Sequence, residues 1–230
     1  MQTQYQMTGQ ATQDRALQQN RVLRNTYLLL ALSMLPTVAG AFLGVRMGFS
    51  FFAGSPMMSF LLFLGVAFGF MWGIERTKDS GLGVVLLLGF TFFMGLMLSR
   101  IVQVALGFSN GASLIATAAG GTGAIFFTLA GIATVTKKDF SFMGKFLFIG
   151  LVVILLAAVA NIFFQIPALS LTISAVAVLL FSGYILFDIS RIVNGGEVNY
   201  VTATLAVYLD IYNLFVHLLN LLMALAGNRE

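Results

Sequence analysis

The chain has 230 residues, of which 59% are hydrophobic and only 9% charged, with a formal net charge of +4 and a mean hydropathy of +0.97. A water-soluble globular protein is excluded, because a soluble domain carries roughly 25% charged residues. With no cysteine and a single histidine, disulfides, iron–sulfur clusters, thiolate zinc sites and multi-histidine metal centres are excluded as well, so neither a cofactor nor a resident metal is expected.

In chain order, residues 1–25 are polar and glutamine-rich, with Arg15, Arg21 and Arg24 just before the first apolar block. They read as a cytosolic polar tail preceding a transmembrane domain over 26–230. The block Thr26 to Val45 is the length of a full crossing rather than of a signal-peptide core, so it is expected to be retained as the first helix, kinked at Pro36. Further crossings are predicted at Pro56 to Ile74, Gly81 to Ser99, Ala112 to Val135, Gly144 to Phe164, Ala168 to Ile192 and Val201 to Ala226. The fold class is an all-α polytopic membrane protein with seven transmembrane helices. Pro56 and Pro167 suit helix starts, where a missing N–H costs nothing.

Basic residues orient these spans. Arg15, Arg21, Arg24, Arg76, Lys78, Lys137, Lys138, Lys145 and Arg191 share one side, and only Arg46, Arg100 and Arg229 fall on the other. The positive-inside rule then places the N-terminus in the cytosol and the C-terminus outside. The same scatter leaves no basic stripe interleaved with aromatics, so no nucleic-acid partner is expected. Gly40, Gly44 and Gly48, and likewise Gly65, Gly69 and Gly73, repeat every fourth residue and line one helix face each, a pattern that favours close helix packing.

Acids inside a span carry the most information, since one at a helix centre costs roughly 2.5 to 3.5 kcal/mol on insertion scales. Asp210 lies on the order of 15 Å deep in the last span. With Asn213, His217 and Asn220 it forms a polar stripe within about 80° of one helix face. Asp188 sits near the cytosolic end of span six. In an antiparallel hairpin, residues at one depth share an index sum. The midpoint of Asp188 and Asp210 falls inside the turn Asn194 to Tyr200, so the two carboxyls are expected at nearly one level. Two carboxylates together in a low dielectric do not both ionise readily, so the pair is expected to share a proton. Arg76 is the expected counter-charge. The competing reading has Asp188 ending its helix beside Arg191, with Asp210 bonding a neighbouring helix.

An enzyme is not expected. His217 is seven residues from Asp210 on one helix, too far along the axis for a direct hydrogen bond, and no nucleophile elbow accompanies it. Intramembrane aspartyl proteases place two aspartates on adjacent helices, yet Ala206-Val207-Tyr208-Leu209 before Asp210 contains no glycine for close approach of a substrate strand. Asn161 and Gln165 on span five read as packing groups that bond across helices.

Several segments carry a resemblance: Val22-Leu23-Arg24-Asn25-Thr26-Tyr27, Lys137-Lys138-Asp139-Phe140-Ser141-Phe142, Asn161-Ile162-Phe163, Gly196-Glu197-Val198-Asn199-Tyr200, and above all Tyr208-Leu209-Asp210-Ile211-Tyr212-Asn213-Leu214-Phe215. Together they resemble the Bax inhibitor-1 family, in particular its bacterial YccA branch. The resemblance implies six helices around a more polar seventh, in a bacterial inner membrane. It also implies a pH-sensitive calcium leak with Asp188 and Asp210 as proton sensor, calcium being the permeant ion, and Arg76 near the basic position that engages the sensor. For the bacterial branch it implies association with the membrane-bound FtsH protease and its HflK–HflC partners, as substrate or modulator. Two roles are therefore expected: a proton-gated cation leak with Asn213, His217 and Asn220 along its route, or an interaction protein gripped through its polar tail.

Overall fold

A computed structural model describes the backbone of residues 2–49 and 56–227, with side chains from residue 17 onward in the first stretch and 57 onward in the second. The side chain of Arg15 and all of Arg229, both used in the charge count, lie outside the described residues. Seven α-helices follow in order: α1 Gln2–Arg46, α2 Pro56–Thr77, α3 Gly81–Leu106, α4 Gly111–Thr136, α5 Gly144–Phe164, α6 Pro167–Val193 and α7 Tyr200–Gly227. A single 3-10 turn, Ser141–Met143, precedes α5. All seven helices are long and apolar enough to cross a membrane, and no strand occurs among the described residues.

The ends of the helices have local causes. Proline opens α2 and α6, as its missing donor allows. Lys137 and Gln165 close α4 and α5 in the left-handed conformation, φ 51° in each case. Asn161 is not a cross-helix bond as expected: its Oδ1 accepts the Ile166 N–H at 2.9 Å, fastening the tight α5–α6 turn. α1 begins at Gln2 rather than Thr26. Glutamine, alanine, leucine and arginine are good helix formers, so a polar composition does not stop the helix at the apolar boundary.

The closest packing is between α1 and α3. A Cβ at Gly40 would strike the Phe92 carbonyl, one at Gly95 would strike the Thr37 carbonyl, and one at Gly44 would meet Ser99. Thr91, Gly95 and Ser99 thus form the small-residue face of α3 that receives Gly40 and Gly44, which is how membrane helices gain van der Waals contact when no hydrophobic drive separates helix from lipid. The remaining glycines of the two trios differ. Gly48 turns the chain at φ +61°, Gly65 and Gly69 face open space, and Gly73 touches only the Leu86 side chain.

α7 packs against α1, α2, α3, α4 and α6, whereas α5 rests chiefly on α6. Large apolar side chains such as Trp72, Phe127 and Leu179 are exposed, the arrangement expected where the surrounding solvent is hydrocarbon. The buried core runs through Leu87, Phe90, Ile185, Ile189, Val207 and Leu214, and it positions the facing surfaces of α6 and α7.

Candidate functional site: an aspartate pair between the last two helices

The hairpin of α6 and α7 is fixed at its turn from two sides. Asn199 caps α7 by accepting the Val201 N–H at 2.8 Å, and its Nδ2 donates to Asp79 Oδ1 at 2.8 Å and to the Lys78 carbonyl at 3.2 Å. The turn is thereby tied to the link between α2 and α3. On the other side, Ser190 Oγ donates to the Lys138 carbonyl at 2.9 Å and accepts the Phe140 N–H at 3.0 Å. Asn194 Nδ2 joins the same carbonyl at 3.2 Å. The end of α6 that carries Asp188 is thus fastened to the link between α4 and α5. Within that link, hydrogen bonds from Ser141 hold the exposed Asp139 below the usual carboxylate range.

Asp188 and Asp210 meet across this hairpin, with their carboxyl groups in hydrogen-bonding reach of each other. Asp210 is only 5% exposed, and its Oδ2 is buried without a hydrogen-bond partner among the described residues. Asp188 pairs with Arg191 at 3.7 Å, one helical turn away. A hydrogen bond between two carboxyl groups needs one proton between them.

Arg76 is not the cation at this pair. It lies exposed, with its guanidinium 5.4 Å from the centre of the Trp72 ring, and makes no ion pair with either aspartate among the described residues. The long side chain stacks on that ring near the end of α2, with its charge left open to solvation. The rest of the α7 stripe is steadied locally. Asn213 Nδ2 donates to the Leu209 carbonyl at 2.8 Å, His217 Nδ1 lies 3.3 Å from Ser174 Oγ and stacks on Phe181, and Asn220 is half-buried.

Two features escaped the sequence. Tyr184, one turn before Asp188, stands near both carboxyls; its i, i+4 spacing to Asp188 was the available signal. Deeper in the bundle, Tyr208 OH and Thr37 Oγ1 share a hydrogen bond of 2.9 Å, Thr37 Oγ1 reaches the Thr91 carbonyl at 3.2 Å, and Tyr212 OH donates to the Met94 carbonyl at 3.2 Å. This network ties the face of α7 away from Asp188 to α1 and α3. Tyr208→Phe is expected to cost about 1 kcal/mol, the worth of a typical intramolecular hydrogen bond, and thermal unfolding in detergent would read it as a lowered midpoint with the helix content unchanged.

The family described as "Inhibitor of apoptosis-promoting Bax1" matches residues 19–228, a stretch that takes in nearly all of the first apolar span and the whole of the other six. This chain belongs to the Bax inhibitor-1 family. Its relatives within that family include the Escherichia coli K12 protein named "Modulator of FtsH protease YccA", 41% identical over 206 residues that cover 90% of this chain and 91% of the relative. The Escherichia coli O6:H1 protein named "Inner membrane protein YccA" matches to the same extent, 41% identical with 90% and 91% covered. An uncharacterized membrane protein of Vibrio cholerae is 38% identical over 221 residues, 96% of this chain and 97% of the relative. With its seven crossing-length helices, this Bax inhibitor-1 protein is a multi-pass protein of the bacterial inner membrane.

Proposed function

We propose that this protein is a pH-sensitive cation leak, with calcium as the permeant ion, gated by the proton that Asp188 and Asp210 share. Five helices pack around α7 and α5 rests outside them on α6, with the N-terminus in the cytosol and the C-terminus outside. The observation that supports this reading is the meeting of two acids from adjacent helices, one of them deeply buried, with Arg191 close enough to compete for Asp188. When the proton leaves, two negative charges remain in a low dielectric. The pair then separates or draws in a cation, and either response biases α6 and α7 toward a second arrangement. Asn213, His217 and Asn220 continue the polar face along which an ion passes. Purified protein in vesicles is expected to pass calcium at a rate that changes with pH; a flux that is the same at every pH would overturn the reading.

A second reading has the protein act on a membrane protease. What favours it is the printed name of the 41% identical relative, a modulator of FtsH; HflK–HflC would belong to the same assembly. The segment for a protease to grip is the polar N-terminal stretch that precedes the apolar part of α1. Deleting residues 3–19 is expected to lengthen the half-life in cells by several-fold without altering vesicle flux, and an unchanged half-life would count against it.

A further inference from the structure

The aspartate pair leaves unused a cavity of about 1080 Å³, which lies on the opposite side of α7. One wall is α1, through Met34, Val38 and Phe42, and the other is α4, through Ala119, Gly123 and Gly131; Ile211 and Phe215 of α7 form the floor. At the rings of Tyr27 and Phe126, 6.2 Å apart, the walls touch. Elsewhere the α4 wall is low because its residues are small: a Cβ at Gly123 or Gly131 would meet nothing within 4 Å. On α1 the lining residues Tyr27 to Val45 rise over about 27 Å, close to the thickness of the hydrocarbon core. The groove is larger than the roughly 300 to 1,000 Å³ usual for small-molecule sites.

Its occupant is indicated by what continues each wall. On α1 the lining follows Tyr27, Ala31, Met34, Val38, Ala41 and Val45, alternating steps of four and three that keep to one helix face. The next residue of that series toward the N-terminus is Arg24, which is exposed and borders a second cavity, of about 550 Å³, together with Asn20 and Arg21. On α4 the lining ends at Thr134, and one turn further come Lys137 and Lys138, also exposed. None of Arg24, Lys137 and Lys138 makes an ion pair among the described residues, and the nearby Asp139 is engaged by Ser141. At the far end of the groove Arg46 is instead held over the Phe42 ring at 5.0 Å. An apolar trough of membrane depth that leads at one end into unpaired cations is complementary to a long-chain anionic amphiphile.

We propose that the groove between α1 and α4 is a resident site for an anionic phospholipid, its acyl chains against Met34, Val38, Gly123 and Ile211 and its phosphate between Arg24, Lys137 and Lys138. The site is independent of the cation-leak reading, since it uses neither aspartate. It differs from ordinary lipid contact in having walls on three sides and a charged end, so a lipid there is retained when the surrounding bilayer is removed.

Native mass spectrometry of the full-length protein, stripped with detergent and then offered equal amounts of phosphatidylglycerol and phosphatidylethanolamine, tests this. One phosphatidylglycerol is expected to be retained in preference. Each of Arg24→Gln, Lys137→Gln and Lys138→Gln should lower retention about fivefold, the effect of one basic residue near a charged membrane surface. Gly123→Leu, placed where a side chain has room, should abolish retention while leaving the thermal midpoint unchanged. Equal retention of the two lipids, or retention that survives both the charge and the groove variants, would overturn the proposal. So would a mass shift of a whole second chain that Gly123→Leu removes, which would make the groove an interface between copies.

Discussion

Vesicles containing Asp210→Asn are expected to conduct at one rate across the pH range over which the unmodified protein responds, and that rate should equal the one the unmodified protein reaches in acid. The reason is chemical: asparagine has the shape of a protonated aspartate and cannot release the proton. Asp188→Asn should flatten the profile in the same way, because with one partner neutral the pair keeps the single negative charge of its proton-sharing form and the second charge that drives the switch cannot appear. In the unmodified protein a one-proton equilibrium changes by at most about tenfold per pH unit, which sets the steepest response to look for. Arg191→Gln serves as the intermediate case. It removes the cation 3.7 Å from Asp188 without touching either acid, so the response should persist with its midpoint moved. A pH response that survives both asparagine variants would dispose of the sensor.

The largest expected loss of stability lies elsewhere. Gly95→Leu must place a Cβ into the Thr37 carbonyl and the Ala41 backbone, and helix backbones do not yield as side chains do. Overpacking of a tight core costs about 1 to 3 kcal/mol and occasionally more; with backbone on both sides the upper end is expected. Heating in detergent should show a much lower midpoint or no folded fraction at all. Gly69→Ala is the matched control. Nothing stands within 4 Å of its Cβ position, so the substitution should be neutral or stabilise by up to about 1 kcal/mol through helix propensity. Equal losses at the two positions would mean that α1 and α3 do not approach as described.

What the sequence revealed and what it concealed follow from the same physics. The seven spans were legible because the bilayer demands about 20 apolar residues per crossing and the charges fall between them. The aspartate pair was legible because a short turn fixes the register of a hairpin, so Asp188 and Asp210 could be levelled by arithmetic. Arg76 and Arg191 were not separable in that way: each is a long, flexible cation near the right depth, and only the Trp72 ring beside one and the single turn to Asp188 from the other distinguish them. The Tyr208, Thr37 and Thr91 network was hidden for another reason. A threonine in a membrane helix can satisfy itself on its own backbone, as Thr134 does on the Ala130 carbonyl at 2.7 Å, so a threonine that reaches across looks the same in the sequence. The start of α1 was concealed because hydropathy marks where a helix meets lipid and not where the helix begins.

The contrast between α5, which rests chiefly on α6, and α7, which touches five other helices, also bears on how the protein is made. α5 is almost wholly apolar and can enter the bilayer unaided. α7 carries Asp210, which no bilayer would accept willingly, yet it is the last of the seven to be synthesised. By the time it emerges, the partners that bury its acid and bond its tyrosines are already in the membrane, so the order of the chain supplies the shelter that the helix with the buried acid needs at the moment of insertion.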